Sequence, residues 1–586
     1  MGVGLRVTGL NRVLARSGLW FLAAGAALTV GCAAAAEVCP VVKAHTPSAA
    51  EQAFLAADYE NAAKLYLAEL GNRANSPELT EGLVRVLLRA QKVQEASNAV
   101  TAALAANPGS ALLLTAKAEV ELRQGAPWDA TRSITAAFKA DPCVPRVHLV
   151  LSDKARLNSM YATARAEVLL AHRLDPDDPD IRRAWIGTLP LRERALELER
   201  YLSTPTGDDA DERHREQLWL EHLKKQLNEP RKACRLDSTA TSTEIPFAEL
   251  LYDANHIRAF GLQVKMNQHA SRLEIDTGAG GLVVSRTVAQ HAGLKPFSET
   301  EIGGIGDKKN SKGYAAYADS IQIGNLEFHD CMIEVVDNIR MMDIDGLIGM
   351  DVFSSFLVTL NYPGHKLKLD PLPSRPGEAV TAPTLGTSSS RDEDEAQDED
   401  GATSASKAGK TAETGGPAVP GNAVEPAQPK PDKGPFNRYI APEMADYTPV
   451  YRVGHNLMLP VALNSSKLKL FVLDTGAWST TISPSAAREI TKVRSNDTLH
   501  VRGLNGEVEK AFTADEVTFA FAKVSQRIER VPSFDTAKIS KGLGLEVSGF
   551  LGARTLELTT IHIDYRDGLV KFDYDPKAVV TVHAQD

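Results

Sequence analysis

Between residues 62 and 176 small and helix-stopping residues recur at an interval of 34. Ala62, Ala96, Ala130 and Ala164 keep this spacing, as do Ala103, Ala137 and Ala171, and Pro108, Pro142 and Pro176. A repeat of that length is one supersecondary unit that cannot bury its apolar face alone, so neighbouring units must stack into a solenoid. An alanine at a fixed helix position lets two helices approach closely. Each Pro follows Asn107, Asp141 or Asp175 and stops a helix, because it lacks the N–H donor and clashes with the preceding turn. Val100, Ile134 and Val168 repeat in the same register. Three units are complete and one, around Asp58 to Leu70, is partial. Helical patterning then continues to about residue 235, with Leu220, Leu223 and Leu227 on one stripe, which we read as the cap of the stack.

This pattern resembles the tetratricopeptide (TPR) repeat, a helix-turn-helix of 34 residues. Leu83 and Gly125 fall at further positions of that family, whereas its usual early Trp and Tyr are mostly missing. The resemblance implies an all-α TPR solenoid with capping helices over residues 45–235 and a groove that takes a protein partner or part of a substrate.

From about residue 243 the grammar changes to short runs of period two, as in Leu262-Gln263-Val264-Lys265-Met266, the mark of strands and hairpins. Two such segments, 243–372 and 440–580, match each other. Ile275-Asp276-Thr277-Gly278-Ala279 corresponds to Leu473-Asp474-Thr475-Gly476-Ala477; Ser285 and Ser483 each lie nine residues past the Asp; Gly346-Leu347-Ile348-Gly349 corresponds to Gly549-Phe550-Leu551-Gly552; Tyr362 and Tyr565 each follow the last glycine by 13. The correspondence indicates a duplicated domain. Between the copies, residues 373–437 are rich in Pro, Ala, Gly, Ser and Thr and carry an acidic run at 391–400. Such a composition buries too little apolar area to offset ordering entropy, so a disordered linker is expected.

The chemistry of Asp-Thr-Gly is legible. An apolar strand delivers a carboxylate to a tight turn that Gly permits, and the Thr hydroxyl, donor and acceptor at once, can lock two such turns together. Two opposed carboxylates cannot both ionise readily, so they share a proton. One serves as general base on a water, and the other donates to a substrate carbonyl.

With D-T-G-A twice, the two halves resemble the retropepsin-like aspartic proteases over about 270 residues. The resemblance implies Asp276 and Asp474 as catalytic, with Thr277, Gly278, Thr475 and Gly476 forming the active-site loops. It makes Leu347-Ile348-Gly349 and Phe550-Leu551-Gly552 the family's second motif, and Gly303-Gly304-Ile305-Gly306 a flap, with Gly503 and Gly506 marking a less complete flap in the second half. The implied architecture is multidomain: an all-α TPR solenoid followed by two all-β lobes in a pseudo-two-fold aspartic protease barrel. Family members with a single lobe work as dimers, so pairing within one chain and pairing between chains both stay open; a flexible linker of about 65 residues, at about 5–6 Å × √n, spans either.

Composition bounds the rest. Lys and Arg total 65 against 75 for Asp and Glu, a net charge of −10, which argues against a nucleic-acid partner. Arg6, Arg12 and Arg16, the apolar stretch Leu19 to Val30 and Ala34-Ala35-Ala36 read as an export signal over 1–36, with an apolar stretch too short to span a membrane. Gly31-Cys32 also resembles the end of a lipobox, although Thr29 stands where an aliphatic residue is expected. A cleaved periplasmic or secreted bacterial protein and one anchored by lipid on Cys32 are therefore both open. Of five cysteines, four remain after cleavage, and none forms a C-x-x-C pair; one or two disulfides and free buried thiols both fit. No H-E-x-x-H, no G-x-S-x-G and no Lys-Ser/Thr after the Gly-rich loop occur, so neither metal nor cofactor is expected. The sequence thus predicts an exported aspartic endopeptidase that takes a peptide or protein substrate; a peptide-binding scaffold without catalysis is the alternative.

Overall fold

The computed structural model describes residues 39–230, 234–253, 256–306, 310–336, 344–378, 382–386, 434–465, 467–504 and 506–574. The expected export signal, Cys32 and the acidic run 391–400 lie outside the described residues.

Helices of 13 and 14 residues alternate through the first part of the chain. Tyr59–Asn72, Val93–Ala106, Pro127–Ala140 and Tyr161–Leu174 begin 34 residues apart. Their partners Pro77–Arg89, Ala111–Arg123 and Pro145–Leu157 keep the same step, which continues to Pro179–Ile186. Ala62, Ala96, Ala130 and Ala164 are the fourth residue of their helices and all are buried, as are Val100, Ile134 and Val168. Asn107, Asp141 and Asp175 cap the helix ends, and Pro77, Pro145 and Pro179 open helices where a missing N–H has no cost. Two further helices, Leu191–Leu202 and Ala210–Asn228, close the stack. The last starts with a reciprocal cap between Asp209 and Glu212, and Leu220 and Leu223 bury against Leu198 and Tyr201.

Arg85, Arg89 and Arg146 are already engaged within this region. Arg85 Nη2 and Arg146 Nη1 lie 2.9 and 3.0 Å from Asp180 Oδ2, Arg89 Nη2 lies 2.5 Å from Asp180 Oδ1, and Arg146 also reaches Glu119 at 2.7 Å.

The β-rich region contains three main sheets. In the first, Gly346–Ile348 runs parallel to His269–Ile275 and antiparallel to Leu282–Ser285. In the second, Gly549–Leu551 runs parallel to Lys467–Leu473 and antiparallel to Thr481–Ile482. The duplicated sequence therefore builds the same three-strand arrangement twice. The third sheet takes strands from both copies. Its order is Thr448–Pro449, Leu569–Tyr574, Thr559–Asp564, Phe356–Asn361, Lys366–Pro371, Thr243–Pro246, and the antiparallel pair of Phe356–Asn361 with Thr559–Asp564 crosses from one copy to the other. Phe356, Val358 and Leu360 face one core with Ile561 and Ile563, as the period-two side-chain alternation requires. One apolar cluster runs through both copies, from Leu262 and Val264 to Phe471 and Tyr565.

Both ends of the stretch expected to be a linker are packed. Arg375 donates to Asp567 Oδ1 at 2.6 Å and its guanidinium lies over Phe436. Leu385 is buried, and the Gly386 N–H donates to the Val352 carbonyl at 2.8 Å. Asn437 bridges to the helical region through Thr163. The low apolar content of 373–437 as a whole concealed these few anchoring residues. The four described cysteines form two disulfides, Cys39–Cys143 and Cys234–Cys331. With partners 104 and 97 positions apart in sequence, nothing local in the sequence could have chosen this pairing.

Candidate active site

Strand His269–Ile275 is buried from Leu273 to Ile275 and delivers Asp276; strand Lys467–Leu473 delivers Asp474 in the same way. The second motifs hold the two loops from the side. The Asp276 N–H donates to the Ile348 carbonyl at 3.0 Å and the Asp474 N–H to the Leu551 carbonyl at 3.1 Å. The threonines then tie one loop to the other. The Thr277 N–H donates to Thr475 Oγ1 and the Thr475 N–H to Thr277 Oγ1, both at 3.0 Å. Thr277 Oγ1 donates to the Leu473 carbonyl at 2.7 Å and Thr475 Oγ1 to the Ile275 carbonyl at 3.0 Å.

The glycines are required by close approach. A Cβ on Gly278 would lie 2.8 Å from Asp474 Cγ, and one on Gly476 would lie 2.5 Å from Asp276 Cγ. This sets the two carboxyl groups close together, each against the glycine of the other's loop. Asp276 Oδ1 accepts the N–H of Gly278 at 2.8 Å and of Ala279 at 3.1 Å, and Asp474 Oδ1 accepts that of Ala477 at 2.9 Å. Burial raises both carboxyls above the ordinary carboxylate range, and the neighbouring Asp276 charge raises Asp474 further. Such a pair holds one proton between two sites at pH values where a solvated carboxylate holds none.

Gly349 and Gly552 sit where backbone crosses backbone. A Cβ on Gly349 would be 2.5 Å from the Ala279 carbonyl, and one on Gly552 would be 2.4 Å from the Ser479 carbonyl carbon. Leu347 is half-buried, while Ile348, Phe550 and Leu551 are buried. Buried Asp351, which the sequence reading passed over, accepts the Gly281 N–H at 3.0 Å. It lies two residues past the second motif and had no counterpart in the other copy to draw attention to it.

The two glycine-rich loops meet. Strands Lys295–Ile302 and Ser311–Ile323 form a hairpin that carries Gly303 to Gly306, and Arg502–Gly503 pairs with Gly506–Glu507 around Leu504. A Cβ on Gly304 would be 2.8 Å from Leu504 Cβ, and one on Gly503 would be 2.5 Å from the Ile305 carbonyl oxygen. Lys538 donates to the Gly306 carbonyl at 3.1 Å.

The helical region reaches the same neighbourhood. His222 of Ala210–Asn228 lies 2.8 Å through Nδ1 from Ser298 Oγ, its ring packs edge-on to Phe297, and Lys225 sits over the Phe297 ring. Trp128 and Leu157 join an apolar cluster with Phe550, Ala477 and Ile305. The Glu546 N–H donates to the Arg123 carbonyl at 3.1 Å, beside Gly125, whose φ of +67° and lack of a side chain allow the approach. Among the described residues no cluster of His, Cys, Asp and Glu could hold a metal, and no helix is long and apolar enough to cross a membrane.

Residues 262–352, which include Asp276, the first flap-like loop and the first second-motif strand, match the sequence model of the aspartyl protease family. Among solved structures, a thermophilic TPR protein of Thermus thermophilus is similar at 22% identity, with a TM-score of 0.24, over 29% of this chain and 93% of that one. None of the curated proteins matches the chain.

Proposed function

We propose that this protein is an aspartic endopeptidase of the retropepsin-like kind, with two β lobes in pseudo-two-fold relation supplying one Asp each. The observation that carries this reading is the close approach of the Asp276 and Asp474 carboxyls, each packed against the glycine of the other's loop. Asp276, with two backbone N–H groups on one oxygen, is the favoured site of the negative charge, and Asp474 keeps the proton. A water between them gives a proton to Asp276 as its oxygen attacks the peptide carbonyl carbon. Asp474 gives its proton to the carbonyl oxygen. The resulting diol collapses as Asp276 returns a proton to the amide nitrogen, the C–N bond breaks, and Asp474 recovers a proton from the diol hydroxyl. Gly303 to Gly306, with Gly503 and Gly506, close over the extended substrate. The helical repeats recruit a protein partner or part of the substrate, and the chain acts outside the cytoplasm, free or held by lipid on Cys32.

The test is cleavage of a peptide mixture by the purified protein from pH 3 to pH 8, against Asp276→Asn and Asp474→Asn. Loss of about 10²–10⁴-fold in each variant is expected for removal of a general acid or base. Wild-type rates in both would reject the reading. A peptide bound but never cut across this range would favour the scaffold without catalysis.

A further inference from the structure

We propose that His455, delivered from the second lobe, is a positioning residue for the Asp276 loop and sets which of the two carboxyls carries the charge. This rests on the reading of Asp276 and Asp474 as a proton-sharing pair. Strands Tyr451–Val453 and Asn456–Leu463 pair in a register that sets Val453 opposite Asn456, so Gly454 and His455 form a two-residue turn. The turn is held from behind by buried Arg452. Its Nε donates to the Gly454 carbonyl at 3.0 Å, and its Nη1 donates to the Tyr565 carbonyl at 2.8 Å and to the Tyr161 hydroxyl of the helical region at 3.2 Å.

From this turn the imidazole crosses to the first lobe. A Cβ on Gly280 would lie 2.5 Å from His455 Nδ1 and 2.9 Å from its Cγ, so the ring occupies the space left by a missing side chain. The Gly278 backbone bears on the same ring and favours its protonated form, as an acceptor does. The Gly278 N–H is already given to Asp276, so the imidazole donates to the Gly278 carbonyl. That carbonyl belongs to the same peptide unit as the Ala279 N–H, which donates to Asp276 Oδ1 at 3.1 Å. A donor on the carbonyl fixes the peptide plane and polarises it, which strengthens the N–H that faces the carboxylate. The effect on Asp276 is to favour its ionised form.

The second lobe is built differently at this point. Trp478 stands where the first lobe has Gly280; it is 43% exposed and stacks with Arg554. Among the described residues the imidazole donor therefore reaches only one loop of the two. Burial pushes the His455 pKa down to about 4, so above that the ring is a neutral donor; Arg452 on its own hairpin is the charge that bears on it, and the Asp276 carboxyl is reached through the Gly278–Ala279 peptide.

The experiment compares full-length wild type with His455→Phe, which keeps a ring without a donor, and His455→Gln, which restores one. His455→Phe is expected to lower kcat by about 10- to 100-fold, the range for losing one such hydrogen bond. KM should change less than about twofold, and the acid limb of the pH profile should move up as Asp276 binds its proton more tightly. His455→Gln should recover much of both, with thermal stability alike in the three proteins. Equal loss in both variants together with equal loss of stability would make the residue merely structural and overturn the proposal. A carboxyl carbon-13 titration, with Asp276 assigned through Asp276→Asn, needs no turnover. An upward shift of Asp276 in His455→Phe is expected even if no peptide is cut, and an unmoved Asp276 overturns the proposal whatever the fate of the protease reading.

Discussion

Thr277 and Thr475 exchange hydrogen bonds across the two lobes, each N–H reaching the other's Oγ1 at 3.0 Å while each hydroxyl donates to the carbonyl that precedes the other's aspartate. All four groups are buried, so removing one hydroxyl strands both an N–H and a carbonyl. Thr277→Ala and Thr475→Ala are each expected to cost about 1–3 kcal/mol of stability and most of the peptidase activity, whereas Thr→Ser at either position should keep both. Thermal unfolding and peptide cleavage on the same samples check this. The double alanine variant should lose less than the sum of the singles, because the two share one network.

The carboxyl pair sets a pH dependence of stability. Asp474 has its folded pKa raised, by burial first and then by the Asp276 charge. The folded state therefore holds a proton that the unfolded chain releases, and this contribution is present at acid pH and lost as pH rises through the raised value. Asp474→Asn, which resembles the protonated form, should be more stable than wild type at pH 7, with the difference closing by pH 3. Unfolding curves at the two pH values decide it; a constant difference would contradict the assignment.

Asp564 offers the same test away from the cleft. Burial, then the charge of Asp567, raises its pKa to about 7. Its Oδ1 accepts the Asp567 N–H at 3.0 Å, while its Oδ2 has no partner among the described residues. Stability from this group is complete near pH 4 and falls away as pH passes 7. Asp564→Asn should raise the Tm at pH 8 and leave it nearly unchanged at pH 4.

The contact of the two loops is brittle at Gly503. A Cβ there would meet both Ile305 Cβ and the Ile305 carbonyl oxygen at 2.5 Å, so Gly503→Ala must push the tips apart. KM for peptides should rise with at most a small fall in Tm, since Ile305 only borders the apolar cluster around Phe550. Gly109→Ala, with open space around it, is the control and should change neither.

Cys39–Cys143 and Cys234–Cys331 close loops of about 100 residues, for which the chain-entropy account gives up to about 4.7 kcal/mol each. Reduction, or Cys234→Ser with Cys331→Ser, should lower Tm measurably. Free-thiol titration of the unfolded, unreduced protein should find neither pair.

What was readable in the sequence is what repeats or sits in a short window. The 34-residue alanine and proline step emerged as alternating helices because every unit faces the same packing problem. Asp276 and Asp474 stood out because Thr, Gly and Ala follow both. His455 and Arg452 left no trace, since each acts alone across more than 100 residues of chain, and a histidine after a glycine in a hairpin is ordinary. Arg375, Leu385 and Asn437 were hidden for another reason. A few anchoring side chains do not alter the composition of the long polar stretch around them.

The pinning of strand Lys295–Ile302 against helix Ala210–Asn228 through Phe297, Ser298 and His222 shortens whatever can swing over the carboxyls. In the proposed protease that arm, fixed at its base to the helical region, would bend beyond Ile302, as a fingertip rather than a forearm, and a doorway of such reach would suit one threaded strand and turn away a domain that has kept its shape.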